Sequence, residues 1–101
     1  MEYVQFTGDR AAIRLRDKLD YDTATVVIEE IKAVASQGVR HMDFYCGELQ
    51  NVSDAGIRAL KFITQKISPD TEMNVVMHDV PKPIKDVLLL SGMEGYVEFT
   101  E

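Results

Sequence analysis

The chain has one cysteine, two histidines, no basic cluster and no long apolar run. Each shortage excludes something. The single Cys46 rules out an internal disulfide, and a zinc site would need several further ligands. His41 and His78 lie far apart in sequence and show no metal-ligand spacing. A net charge of −6 argues against nucleic acid or an anionic membrane as partner. No apolar stretch approaches the roughly 20 residues of a membrane span, so no membrane insertion is expected. The start, Met1 to Phe6, lacks the basic and apolar regions of a signal peptide, and a cytoplasmic location is the expectation. Neither GxxxxGK[ST] nor GxGxxG occurs, so nucleotide binding through those loops is unsupported and no cofactor is expected. No repeat, linker or low-complexity segment appears. What remains is 101 residues, 46% apolar and 28% charged, the profile of one soluble domain spanning residues 1–101.

The centre of the chain is Val39 to Ile67. An apolar strand, Val39 to Cys46, is followed by a polar stretch, Gly47 to Val52, read as a tight loop. A helix then opens at Ser53-Asp54-Ala55-Gly56. Upstream, Tyr3–Phe6 and Ala11–Leu15 read as two strands around the turn Thr7-Gly8-Asp9-Arg10. A helix follows from the capping residues at Asp20–Thr23, with Ala24, Val27, Ile28, Ile31 and Ala35 at helical spacing, and Gly38 closes it at C′. Glu29, Glu30 and Lys32 fall on its solvated side.

In the helix after Ser53, Gly56, Ile57, Leu60, Ile63, Thr64 and Ile67 form one face, predicted to pack on a sheet containing Met42 and Phe44. Ala55, Arg58 and Phe62 form the other. Asp54 and Arg58 have the favourable i, i+4 order for an ion pair. Ser68-Pro69-Asp70 is expected to stop this helix. Met73–His78 reads as a strand. Pro81 and Pro83 open a third helix whose inner face is Ile84, Val87, Leu88 and Ser91 and which Gly92 closes. Tyr96–Phe99 reads as the last strand. The order ββαβαβαβ predicts a small α/β fold, a mixed sheet with parallel pairs and helices packed on it.

Few residues suggest chemistry. Cys46 at a strand end invites comparison with a phosphatase loop, but the following segment has no arginine at its far end and carries Glu48, which repels phosphate. A buried core cysteine is the expected reading. Asp43 and Asp54 flank the polar stretch, and paired acids serve acid–base catalysis or metal binding. Nothing completes a catalytic set, so no enzymatic activity and no metal are expected. Asp43 is expected to tie down the loop by accepting backbone N–H groups. Met73, Met77 and Met93 are expected as core. Phe62, opposite the core face, is a candidate for contact with a partner.

Four segments resemble STAS domains of the anti-anti-sigma-factor type. Ser53-Asp54-Ala55-Gly56-Ile57-Arg58 resembles their signature at the start of the second helix. Asp43-Phe44 resembles the end of their apolar strand, Leu19-Asp20 the approach to their first helix, and Val87 to Met93 their third helix and its Gly-Leu exit. The match covers most of the chain. Three features depart from the pattern. Asp54 stands where the family's phospho-accepting Ser or Thr sits. The stretch from Asp43 to Gly56 is longer than usual. The sequence after Phe99 has no counterpart of the family's final helix.

The resemblance implies a non-enzymatic protein-binding domain. It implies a partner-switching role with a kinase-type anti-sigma factor or related ATPase, by a monomer or weak dimer. In the family, phosphorylation of the Ser breaks that complex and a phosphatase restores it. The implied surface is Asn51, Ser53, Asp54, Ala55, Arg58 and Phe62, with Gly56 shaping the loop. Ser53 matches the preceding position and is the poorer acceptor. Alternatives are a STAS-like subunit of a transport complex, or a small-molecule sensor or enzyme using Asp43, Cys46 and Asp54.

Overall fold

The structure is a computed structural model that describes residues 1–101. Its elements are β1 (Val4–Thr7), β2 (Arg10–Leu19), α1 (Tyr21–Ala35), β3 (His41–Val52), α2 (Asp54–Phe62), β4 (Asn74–His78), α3 (Lys82–Leu90) and β5 (Glu98–Thr100). The five strands form one sheet in the order β1-β2-β3-β4-β5. The hairpin pair β1–β2 is antiparallel and the other three pairs are parallel. This is the mixed α/β arrangement the alternation of strands and helices predicts. Each crossover steps one strand in the same direction, and such crossovers are right-handed, so all three helices share one face of the sheet.

Strand register decides what faces the helices. Ala11 pairs with Met42 and Met42 with Val75, while Ile13 pairs with Phe44 and Phe44 with Met77. All of these are buried and meet Val27, Ile31, Leu60, Ile63 and Leu88 from the helices. The expected face of the second helix holds: Leu60, Ile63, Thr64 and Ile67 are buried, and Ile57 is half-buried. Met73, Met77 and Met93 are core, as expected.

Gly38 closes α1 as expected. Its φ of +92° lets the Val39 N–H reach the Val34 carbonyl while its own N–H reaches that of Ala35, the Schellman pattern.

Four expectations are corrected. Gly47–Val52 is not a loop but the second half of β3, and β2 extends to Leu19 beside it. From the Arg14–Tyr45 pair to the Leu19–Val52 pair β2 advances five residues and β3 seven, across two bulges. The bulges break the two-residue alternation, and for that reason the segment reads as a loop. They also absorb the extra length between Asp43 and Gly56. Second, Ser68-Pro69-Asp70 does not stop the second helix. A π turn, Ile63–Ile67, and a further α turn, Ser68–Asp70, carry it on. Pro69 removes one N–H, and the wider turn just before it shifts the hydrogen-bond register, with the Ser68 N–H on the Ile63 carbonyl. Third, Val87 is exposed rather than inward, and Leu90 is 88% exposed, while Leu88 carries the contact with the core. Beneath α3 the sheet ends in the three-residue β5, too short to cover both flanks of the helix. Fourth, Glu30 is not simply solvated. Its carboxylate accepts the N–H groups of Glu2, Tyr3 and Val4 at 2.9–3.0 Å and fastens the start of β1 to α1.

Candidate functional site

In a parallel sheet every connecting helix starts at the carboxyl end of a strand. The N-termini of α1 and α2 therefore stand side by side, after Leu19 and Val52, which pair across β2 and β3. The Leu19 carbonyl joins the two starts by accepting the Ser53 N–H at 3.0 Å. Gly56 permits this approach. A Cβ at that position would stand 2.2 Å from the Leu19 oxygen and 3.1 Å from Cγ1 of Val52, so no larger residue fits. The role assigned to Gly56 thus becomes the docking of α2 onto the end of β2.

Ser53 is the N-cap of α2. Its hydroxyl oxygen accepts the Gly56 N–H at 3.0 Å and lies 3.4 Å from the Leu19 carbonyl, to which it donates. Asp54 is not the cap. It is the first helical residue, exposed, and its side chain makes no hydrogen bond or ion pair with any part of the chain. The expected Asp54–Arg58 pair does not form, and Arg58 is exposed and unpaired as well. One acid and one base therefore remain free within a turn of each other, and the helix dipole alone stabilises the carboxylate.

The remaining surface candidates divide between two hollows on either side of this helix start. Ala55, Arg58 and Phe62 line one of about 260 Å³, together with Tyr21, Ala24, Thr25, Ile28 and Ala59. Asn51 lines another of about 260 Å³, with Gln50, Val52, Pro83, Ile84, Val87 and Leu88. The α1 half of the first hollow was missed in the sequence. Its signal was present, since Tyr21, Thr25, Ile28 and Lys32 recur at helical spacing beside the core stripe.

Asp43 requires a correction. It does not tie down a loop and does not face Asp54. It lies near the start of β3 on the face without helices, where its carboxylate meets Nε2 of His78 at 2.9 Å and Nη2 of Arg10 at 3.3 Å. Nδ1 of His78 in turn meets the Thr100 hydroxyl at 2.8 Å. The His78 ring stacks on Tyr45 with centroids 4.7 Å apart, and the Arg14 guanidinium lies 5.0 Å from the Tyr45 ring. An ionised Asp43 only accepts, so Nε2 carries a proton, and in the neutral ring Nδ1 accepts from Thr100. This chain cross-links β2, β3, β4 and β5 where no helix covers them. Its members are some 20 to 35 residues apart, and only strand register unites them.

Cys46 points into the core and is buried. Burial first, and then the charge of Asp79, pushes its thiol up to about 12, so it stays protonated at neutral pH and has no nucleophilic character. No three His, Cys, Asp or Glu side chains gather to hold a metal ion. No helix is long and apolar enough to cross a membrane.

No protein-family model and no curated protein matches the sequence. Solved structures do match. The anti-sigma factor antagonist SpoIIAA in its unphosphorylated form superposes with a TM-score of 0.82 at 14% identity, covering 97% of this chain and 86% of that one. The Bacillus cell fate determinant SpoIIAA in its phosphorylated form gives 0.77 at 15% identity, covering 97% and 89%. The chain therefore has the fold of these antagonists, a STAS-like fold.

Proposed function

We propose that this domain is a protein-binding regulator, without catalysis of its own, that meets a kinase-type anti-sigma factor or related ATPase through the start of α2. The observation that carries the reading is Asp54. It is exposed, free of any partner within the chain, and placed where the resemblance puts the phospho-accepting hydroxyl. The fold is that of an antagonist solved in both phosphorylated and unphosphorylated forms. Asp54 supplies a permanent charge of −1, against about −1.5 to −2 for a phosphoserine. The neighbouring Ser53 hydroxyl is engaged as the cap, and phosphorylating it would remove the hydrogen it donates to the Leu19 carbonyl.

On this reading Asp54 holds the domain in a state resembling the phosphorylated one and weakens the complex. The test is affinity capture, identification of the bound ATPase, and titration of it with wild type and Asp54→Ser. Tighter binding by Asp54→Ser, together with incorporation of phosphate at the new serine, supports the reading. Unchanged affinity and no phosphate overturn it. Capture of a transporter ATPase instead assigns the domain to a transport complex.

A further inference from the structure

The groove between α1 and α2 is the most partner-like surface of the molecule that the placement of Asp54 does not explain. Tyr21, Ala24, Thr25 and Ile28 form its α1 wall, and Ala55, Arg58, Ala59 and Phe62 its α2 wall. The helices both run back from the carboxyl ends of parallel strands, so the walls are parallel. From Tyr21 to Ile28 the groove extends about 10 Å, close to two helical turns, and the Lys32 ammonium over the Phe62 ring stands just beyond it. Tyr21 is 71% and Phe62 40% exposed, and both are residue types that dominate binding energy at interfaces. At about 260 Å³ it is smaller than the pockets that enclose small ligands.

Charge is distributed unevenly along it. Asp22 and Asp54 stand at the end where the helices start. Arg58 lies midway, and at the far end the Lys32 ammonium lies 5.7 Å from the Phe62 ring, with Lys61 next to it in sequence. Arg58, Lys32 and Lys61 form no ion pair, although the chain as a whole carries −6. Two acids of α1 precede Lys32: Glu29, which is exposed, and Glu30, which is bonded to the start of β1.

We propose that this groove docks an amphipathic helix of the partner protein, with an apolar stripe at i, i+3/i+4 and i+7 and acidic residues flanking the stripe where it meets Arg58 and Lys32. The inference rests on the protein-binding reading above and names the element the partner presents. The stripe covers Phe62, Ile28 and Tyr21, and the acids pair with the free cations. The acidic end must point away from Asp54, so charge fixes the direction of the docked helix. A second copy of this chain is a poor occupant. Its exposed apolar helix, α3, carries Lys82 and Lys85, and its single acid, Asp86, is already bound to Lys82 at 3.1 Å.

The test uses the full chain and two synthetic helix-constrained peptides. Both carry the same leucine stripe. One has glutamates flanking it and the other lysines. The glutamate peptide should shift the backbone amide resonances of Tyr21–Lys32 and Ala55–Phe62, and bind about tenfold more tightly than the lysine peptide. Arg58→Glu should remove that preference, and Phe62→Ala should weaken both peptides while leaving the fold intact, since Phe62 is outside the core. Equal affinities, shifts centred on α3, or a peptide effect that survives both substitutions would overturn the proposal. These peptides contain no ATPase, so their failure is separate from failure of the Asp54→Ser test.

Discussion

The two adjoining helix starts both carry acids, Asp20 and Asp22 at α1 and Asp54 at α2, and use them differently. At α1, Asp20 is the N-cap. Its carboxylate accepts the Thr23 N–H at 3.1 Å and the Thr23 hydroxyl at 3.0 Å, the Asp20 N–H donates to that hydroxyl oxygen at 2.8 Å, and Lys18 lies 3.5 Å away. The bond from the Thr23 backbone, followed by that from its hydroxyl, holds the Asp20 carboxyl below the usual carboxylate range. At α2 a neutral serine caps the helix, and the acid is displaced one residue to a position where nothing in the chain meets it. The fold needs an acid at the first start and has no need of one at the second. An exposed carboxylate with no internal task is available to an outside partner, and this difference gives Asp54 its place in the proposed function.

The comparison is broken most severely at Gly56, which brings the two starts together. Gly56→Ala forces a Cβ to within 2.2 Å of the Leu19 oxygen. It should destabilise the domain by about 3 kcal/mol or more, although alanine is the better helix former. Urea unfolding measures this, and a neutral or stabilising result would mean that α2 does not sit against Leu19 as described.

A smaller effect separates cap from acid. Ser53→Ala should cost about 1 kcal/mol, because the Gly56 N–H loses its partner. Asp54→Ala should cost only about 0.3–1 kcal/mol, the interaction of an exposed acid with the dipole. Equal losses from the two substitutions would show that Asp54 shares the capping and has an internal task after all.

The smallest effect concerns acid. The folded-state pKa of Asp20 is lowered, so its contribution is present above the unfolded value and is lost as pH falls through the folded one. Asn caps as well as Asp but does not titrate in this range. Asp20→Asn should therefore lose less stability than wild type on acidification below about pH 4. Superimposable acid-unfolding profiles would remove the distinction between the closed start of α1 and the open start of α2.

Much of this was readable in advance. Periodicity of two in Ala11–Leu15 and Met42–Cys46, and of 3.6 in Ala24–Ala35 and Gly56–Ile67, reports which side of an element is buried, because burial follows side-chain direction. The order of elements then leaves few topologies, and the mixed sheet with parallel pairs that it predicts is found. Ser53 was identifiable as a candidate cap because helix N-termini select particular residue types.

Tertiary structure alone decided the rest. Pairing with β2 made Gly47–Val52 a bulged strand, since bulges place successive residues by the partner's register rather than by alternation. The same register put Asp43 against His78 and Arg10 instead of beside Asp54. The π turn carried the second helix past Pro69. Which of two adjacent capping residues would cap α2 was settled by Leu19, whose carbonyl anchors Ser53 and leaves Asp54 outside. A sequence encodes periodicity and residue chemistry within one element; distances between side chains some 35 residues apart exist only once the strands have paired.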